Sequence, residues 1–180
     1  MRMRRVAGVL IIVTAAVLLV EVLPNAVLNA AGPPPEAEPA EQNLAIIVNQ
    51  SNPVDNVSFQ ELRTIFLGER SHWPNGRRIT LVMLEPGQPE RKAILRTIYR
   101  MTESDFSRHF LQGLFTGEVF VSPKTLANPV GVRKFVFNVP GAIGYVRAAD
   151  VDDTVKVIRV DGHLPDDKDY ALRIPARPAK

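Results

Sequence analysis

Three short stretches decide the fold of this chain. Residues 65–68 read Ile-Phe-Leu-Gly, residues 73–76 read Trp-Pro-Asn-Gly, and residues 140–146 read Pro-Gly-Ala-Ile-Gly-Tyr-Val. The first ends an apolar helical face with a glycine, and the second is a turn in which Asn-Gly suits positive φ. In the third, we expect Gly141 to adopt a left-handed or otherwise glycine-only conformation where the chain turns into a strand.

Apolar runs on either side of these stretches predict the strands. Residues 44–48 and 79–84 are continuously apolar, as expected of strands covered on both faces in a parallel sheet, and residues 142–146 and 155–160 predict two more. Helical patterns separate these runs. The alternation predicts an α/β fold with a mixed, mostly parallel sheet flanked by helices.

Three capping signals predict where helices begin. Ser58 with Glu61 forms a capping-box pattern, Thr102 precedes a second apolar helical face, and Asn128 is followed by proline. We expect Leu114 on the buried face of the second of these helices.

In this order, the three stretches resemble the phosphate-binding-protein-like branch of the type II periplasmic solute-binding proteins. The resemblance covers residues 44–161 and implies a single lobe of a fold that normally closes two lobes on its ligand. It also implies a non-enzymatic domain related to the substrate-binding proteins of phosphate ABC transporters, with a small oxyanion such as phosphate as its ligand.

Residues 85–91 differ from the anion-binding segment that the resemblance implies. Full-length members use an arginine and a Ser-Gly-Thr segment before a helix, where backbone N–H groups stabilise negative charge. Here the sequence is Glu-Pro-Gly-Gln-Pro-Glu-Arg, in which the prolines lack N–H donors and the glutamates repel anions. We therefore expect any anion to bind weakly.

The predicted ligand site lies beyond the carboxyl ends of parallel strands. The predicted strand-loop-helix order brings the loops that follow the first two strands to the same edge of the sheet. The expected ligand-binding residues are Asn49, Ser51, Asn52, Gly87, Gln88 and Arg91.

The N-terminus predicts export. Residues 1–5 are basic and residues 6–20 are apolar or small apart from Thr14, the order of a secretory signal. Residues 1–31 are therefore either a signal peptide or an uncleaved anchor, which would be the chain's one membrane contact. Both alternatives place the domain in the periplasm or outside the inner membrane.

The remaining segments are a spacer and a tail. Residues 32–43 contain four prolines and three glutamates, a composition that favours a stiff, solvated linker. Residues 162–180 are expected to form an extended tail, loosely ordered from Leu164 onward. The globular domain should therefore span residues 44–161.

Composition narrows the possible functions. The formal net charge is +3, with three arginines in the first five residues, so no basic surface typical of nucleic-acid binding is indicated. There is no cysteine, and the three histidines lack metal-ligand spacing. We expect no catalytic residues, no metal and no cofactor.

A second class of function stays open. The domain could be an envelope structural or interaction module that has lost ligand binding and docks onto another envelope protein or forms a homodimer. The exposed basic side chains Lys92, Arg96 and Arg100, spaced four residues apart, are typical of a solvated helix face and would also suit an anionic lipid or an acidic partner.

Overall fold

The computed structural model describes residues 42–174. The predicted export segment, nearly all of the predicted spacer and the last six residues lie outside this range. Within it, no helix is long and apolar enough to cross a membrane.

Strands and helices alternate along the described residues, as the sequence predicts. The strands are β1 (Gln42–Asn49), β2 (Asn56–Val57), β3 (Thr80–Leu84), β4 (Lys124–Leu126), β5 (Ala142–Arg147), β6 (Val155–Val157), β7 (Arg159–Val160) and β8 (Arg173–Ile174). The helices are α1 (Phe59–Phe66), α2 (Pro89–Ile94), α3 (Glu103–Thr116) and α4 (Pro129–Asn138). A π-helical turn, Leu95–Tyr99, continues α2, and a 3-10 turn covers Ala148–Asp150.

The main sheet has the strand order β4-β3-β5-β1-β6, and β8 pairs with β1. Strand β3 is parallel to β4 and β5, whereas β1 is antiparallel to β5, β6 and β8. Four of the five strands in this order therefore share one direction, and helices flank them. The predicted α/β fold with a mixed, mostly parallel sheet is confirmed.

Strand β1 is buried as predicted but runs in the other direction. Residues Leu44 to Val48 are at most 1% exposed, in agreement with a strand covered on both faces. Both neighbours in the sheet are nevertheless antiparallel to it. A continuous apolar run reports burial and carries no information on strand direction, which is why the expectation of parallel pairing is wrong.

The predicted helix starts are confirmed at all three capping residues. Ser58 and Thr102 each form a complete capping box, and the Asn128 side chain accepts a hydrogen bond from the Gly131 N–H. Leu114 is the exception on the predicted helix faces, since it is 49% exposed. The backbone of Gly113 instead packs against Val119.

The predicted loose tail is wrong for its described part. Tyr170, Leu172 and Ile174 are buried, and β8 pairs with the start of β1. These three residues alternate with exposed neighbours, the period-two pattern of a half-buried strand. Nearby prolines and aspartates obscure that pattern in the sequence.

Two of the three stretches that decide the fold meet at the carbonyl of Gly141, which accepts hydrogen bonds from the Trp73 indole N–H (2.9 Å) and from the Thr80 N–H (3.0 Å). Gly141 does not have positive φ, so the left-handed conformation is wrong. Glycine is required there because a Cβ would overlap the backbone oxygen of Arg78. Gly68 does have positive φ, and its carbonyl accepts from the Phe120 N–H.

Candidate functional site

The structure places the two predicted ligand loops at opposite edges of the sheet. Val48 pairs with Ile143 in antiparallel register, so β1 ends where β5 begins. The loop from Gly87 to Gln88 follows the last residue of β3, at the other end of the strands. The prediction that the two loops form one site is therefore wrong, because β1 runs against β3 and β5.

The Asn49 side chain connects the end of β1 to α4 by hydrogen bonds. Its Nδ2 donates to the carbonyls of Val136 (2.9 Å) and Phe137 (2.6 Å), near the carboxyl end of that helix. Its Oδ1 accepts from the backbone N–H (2.9 Å) and the hydroxyl (2.8 Å) of Ser51. The Asn49 amide is thus fully engaged within the protein.

Ser51 and Asn52 have mainly structural contacts as well. The Ser51 hydroxyl accepts from Arg77 Nη1 at 2.7 Å while donating to Asn49. Asn52 is buried, and its Oδ1 accepts from the Val54 N–H at 3.0 Å. Its Nδ2 finds no acceptor among residues 42–174, and it is buried too deeply to meet a dissolved ligand.

The opposite edge holds Gly87, Gln88 and Arg91. Gly87 is exposed with φ of 93°, in the turn that joins β3 to α2, and the Gln88 side chain donates weakly to the Ala127 carbonyl at 3.4 Å. Prolines at 86 and 89 remove two backbone donors from this turn. The turn is therefore poor in groups that could bind an anion.

Arg91 is fully occupied by protein groups. Its Nε and Nη2 contact both carboxylate oxygens of Glu103, its Nη1 donates to the Leu84 carbonyl at 2.8 Å, and its guanidinium lies 4.8 Å from the centre of the Phe106 ring. The Arg91 side chain is only 4% exposed. An oxyanion would have to displace Glu103, so Arg91 is not a ready anion ligand.

A second arginine at this edge, Arg147, is neutralised in the same way. Its Nε lies 2.5 Å from Glu90 Oε1, both side chains are buried, and its Nη1 donates to Gln42 Oε1 at 2.6 Å. Sequence reasoning did not identify Arg147, whose only signal is a charge that directly follows the apolar run of β5. We refer to the pairs Arg91–Glu103 and Arg147–Glu90 as the charged edge.

Beside the charged edge lies an open groove of about 270 Å3. Its lining includes Gly87, Lys92, Arg96 and Glu103. Lys92 and Arg96 are exposed cations that project from α2 and its π-helical turn. Because solvent reaches the groove freely, it could attract an anion but would not enclose one.

The described residues offer no obvious reaction chemistry. Among residues 42–174, no group of three or more histidine or acidic side chains could hold a metal ion. Burial raises the pKa of Tyr99 and of Tyr145, so both phenols stay protonated in the core. The ring of His109 lies 3.0 Å from the Leu67 carbonyl, a packing contact between α3 and the end of α1.

Comparison with known proteins points to one group of relatives. No family model matches the chain. It is similar to the phosphate-binding protein PstS of Bacillus subtilis (strain 168), with 28% identity over 133 residues, which are 71% of this chain and 39% of that protein.

Two solved structures share the fold. An ABC-type phosphate transport receptor from Vibrio cholerae matches with a TM-score of 0.63 and 22% identity, over 77% of this chain and 56% of that one. PstS from Borrelia burgdorferi matches with a TM-score of 0.58 and 14% identity, over 75% of this chain and 55% of that one. The chain thus spans about two fifths of the length of the Bacillus subtilis protein and little more than half of the length of the two solved structures.

Proposed function

We propose that the chain is an exported, non-enzymatic solute-binding-protein-like domain that contacts a small oxyanion such as phosphate weakly. The premise is its similarity to phosphate-binding proteins of the type II periplasmic class, of whose fold it carries one lobe. The open groove beside the charged edge carries the proposal. Its turn at Gly87 follows the carboxyl end of β3, and ligands of open α/β sheets bind beyond the carboxyl ends of strands.

The proposed anion contacts are the exposed groups of the groove. The turn at Pro86 and Gly87 forms one side of the groove, and Lys92 and Arg96 supply the positive charge. Arg91 is excluded, since Glu103 holds its guanidinium. Solvent-exposed cations in an open groove suit dissociation constants in the millimolar range, which is a binding free energy of about −4 kcal/mol.

Ligand-dependent thermal unfolding of the full chain tests this proposal. Phosphate at 100 times its dissociation constant should stabilise the native state by about 2.7 kcal/mol. The double variant Lys92→Gln/Arg96→Gln should lose that response, whereas Lys134→Gln/Lys168→Gln, a matched removal of two exposed lysines elsewhere, should keep it. If neither phosphate nor sulfate raises the unfolding temperature of the wild type, the proposed anion binding is refuted.

We also propose that residues 1–31 direct the export, as a cleaved signal or as an anchor in the inner membrane. The basic residues followed by an apolar run support this assignment. N-terminal sequencing of the protein recovered from bacterial envelopes tests it. A start near residue 31 would indicate cleavage, an intact Met1 in the membrane fraction would indicate an anchor, and recovery from the cytoplasm would contradict both.

The interaction module is the second candidate function, and one surface favours it. Leu111, Leu114, Phe115 and Phe120 are all at least 49% exposed around the carboxyl end of α3, and Phe115 is 85% exposed. Exposed apolar patches of this kind often mark protein-protein contacts. Sedimentation of the full chain tests this candidate. Phe115→Ser should reduce self-association or partner binding, whereas Val130→Ser, at an exposed site on α4, should not.

A further inference from the structure

A separate groove, which we call the apolar groove, lies where strands β5 and β6 end. Its volume is about 490 Å3, and it is bounded by Ala45 of β1, Val157 of β6 and two wall segments, residues 148–151 and 164–166. The side chains that line it are apolar except for Asp166. No described residue lines both this groove and the open groove beside the charged edge, so the apolar groove is a second candidate site.

The register of the sheet brings these apolar side chains together. Strands β5 and β6 are both antiparallel to β1, so their carboxyl ends reach the same edge of the sheet. Val157 pairs with Ile47, and Ala45 lies two residues before Ile47, so Ala45 and Val157 are on the same face. The small side chain of Ala45 leaves room on that face for a group from outside the sheet.

Side-chain hydrogen bonds fix both walls of the apolar groove. Arg133 of α4 donates from Nη1 to the Asp150 carbonyl at 2.5 Å, and Asn43 of β1 donates from Nδ2 to the Pro165 carbonyl. The folded chain therefore shapes the groove by itself. Preformed, mostly apolar sites of about 300–1,000 Å3 with a few polar groups are typical of small-molecule binding, and the apolar groove lies within this range.

The charge at the mouth of the apolar groove is negative. Asp166 is exposed and makes no hydrogen bond or ion pair with another residue between 42 and 174. The two wall segments contain no lysine or arginine. Lys168 follows two residues later but does not line the groove, and Lys156 of β6 is paired with Asp55 at 2.8 Å. An apolar surface beside an unpaired carboxylate is complementary to an apolar group that carries a positive charge.

We propose that the apolar groove binds a small organic cation of the alkylammonium class. Its hydrocarbon part would lie against Ala45 and Val157, and its ammonium group would pair with Asp166. Burial supplies most of the affinity, since each methylene group removed from water contributes a factor of about four. An exposed ion pair adds little affinity but favours a cation over an anion. This site goes beyond the proposed anion binding and uses none of its residues.

Chemical-shift titration of the nitrogen-15-labelled full chain with hexylammonium, hexanol and hexanoate tests the proposal. The three ligands have six-carbon chains and differ in charge. We expect hexylammonium to bind most tightly and hexanoate least tightly, with shifts at Ala148, Ala149 and Val157. Butylammonium should bind about ten-fold more weakly than hexylammonium, because it buries two fewer methylene groups. If no ligand shifts these signals, or if hexanoate binds as tightly as hexylammonium, the proposal is wrong.

Two variants with matched controls locate the site. Ala149→Phe fills the groove from an exposed wall position and should weaken hexylammonium binding about ten-fold, whereas Ala127→Phe, at an exposed position in the loop after β4, should not. Asp166→Asn should weaken it about two- to five-fold, to the level of hexanol, whereas Asp153→Asn, at an exposed position before β6, should not.

The same variants separate this proposal from the proposed anion binding. Ala149→Phe should respond to phosphate as the wild type does, because Lys92 and Arg96 lie outside the apolar groove. Unchanged hexylammonium affinity in Ala149→Phe would overturn the apolar groove as the site. Unchanged affinity in Asp166→Asn would overturn the pairing of the ammonium group with that carboxylate.

Discussion

The turn into β5 and the charged edge lie at opposite ends of the same strands, and they differ in what their residues contact. At the turn, Trp73 and Thr80 donate to the Gly141 carbonyl, and glycine is required by the close approach of another backbone segment. At the charged edge, Arg91 and Arg147 bind glutamates, one of them buried and the other half-exposed.

This difference explains why the sequence reveals the similarity to phosphate-binding proteins more clearly than it reveals a ligand site. Two of the three stretches that carry the resemblance are packing elements of this turn, and packing constrains residue type tightly. At the charged edge, beside the proposed ligand groove, both arginines form ion pairs with glutamates of the same chain. The similarity to known proteins is therefore carried mainly by one end of the strands, whereas the proposed ligand site lies at the other end.

The largest expected effect is at the charged edge. Arg147→Met removes the guanidinium that neutralises the buried Glu90 and should destabilise the domain by about 3–5 kcal/mol, a large share of a typical total of about 5–15 kcal/mol. Urea denaturation followed by circular dichroism measures this change.

Two control variants separate the effect of an unpaired buried charge from the effect of losing any arginine. Glu90→Leu/Arg147→Met replaces the whole pair by apolar groups and should recover most of the loss. Arg108→Met breaks an exposed pair with Asp105 and should leave the urea midpoint unchanged. A wild-type midpoint for Arg147→Met would mean that the charged edge does not stabilise the fold.

The second effect is at the turn. In Gly141→Ala, the added Cβ overlaps the backbone oxygen of Arg78, so a strand end must move, at a cost of about 3 kcal/mol. Gly131→Ala is the matched control within α4, where the nearest atom to the new Cβ is 3.5 Å away, and it should be neutral or stabilising. Equal urea midpoints for the two variants would contradict the close approach.

The sequence predicts the fold well where the determinants are local. Capping at Ser58, Thr102 and Asn128 depends on residues within one helical turn, and all three helix starts are confirmed. The positions of β1, β3 and β5 follow from apolar runs in the same way. These signals need no knowledge of which elements are neighbours in space. The predicted strand at residues 155–160 is instead two short strands, β6 and β7, which belong to different sheets.

The candidate site could not be predicted in the same way, because it depends on strand direction and on distant partners. The antiparallel course of β1 separates Asn49 from Gly87 by the full length of the sheet. Arg91 and Glu103 are only 12 residues apart in sequence, yet their pairing depends on where the start of α3 lies relative to α2. Arg147 and Glu90 are 57 residues apart, and no motif links them.

A smaller effect tests the hydrogen bond that joins two of the family-like stretches. Trp73→Phe keeps an aromatic ring in the core but removes the N–H that donates to Gly141, which should cost about 1–2 kcal/mol. Phe137→Leu, at an exposed position, should not change the urea midpoint. If Trp73→Phe unfolds at the wild-type midpoint, the indole hydrogen bond does not stabilise the turn.

The smallest expected effect is a gain in anion affinity at the charged edge. Glu103→Gln removes the negative charge that Arg91 binds, and the position is reachable because the Glu103 side chain is 42% exposed. Phosphate should then bind about five-fold more tightly, or roughly 1 kcal/mol, somewhat less than a full charge-assisted hydrogen bond. Calorimetric titration of the full chain measures the change.

Glu118→Gln, at an exposed site beyond α3, alters the net charge equally and should have little effect. Equal gains in both variants would reveal a general electrostatic attraction, and no gain in Glu103→Gln would show that the carboxylate of Glu103 is not what keeps Arg91 from binding anions.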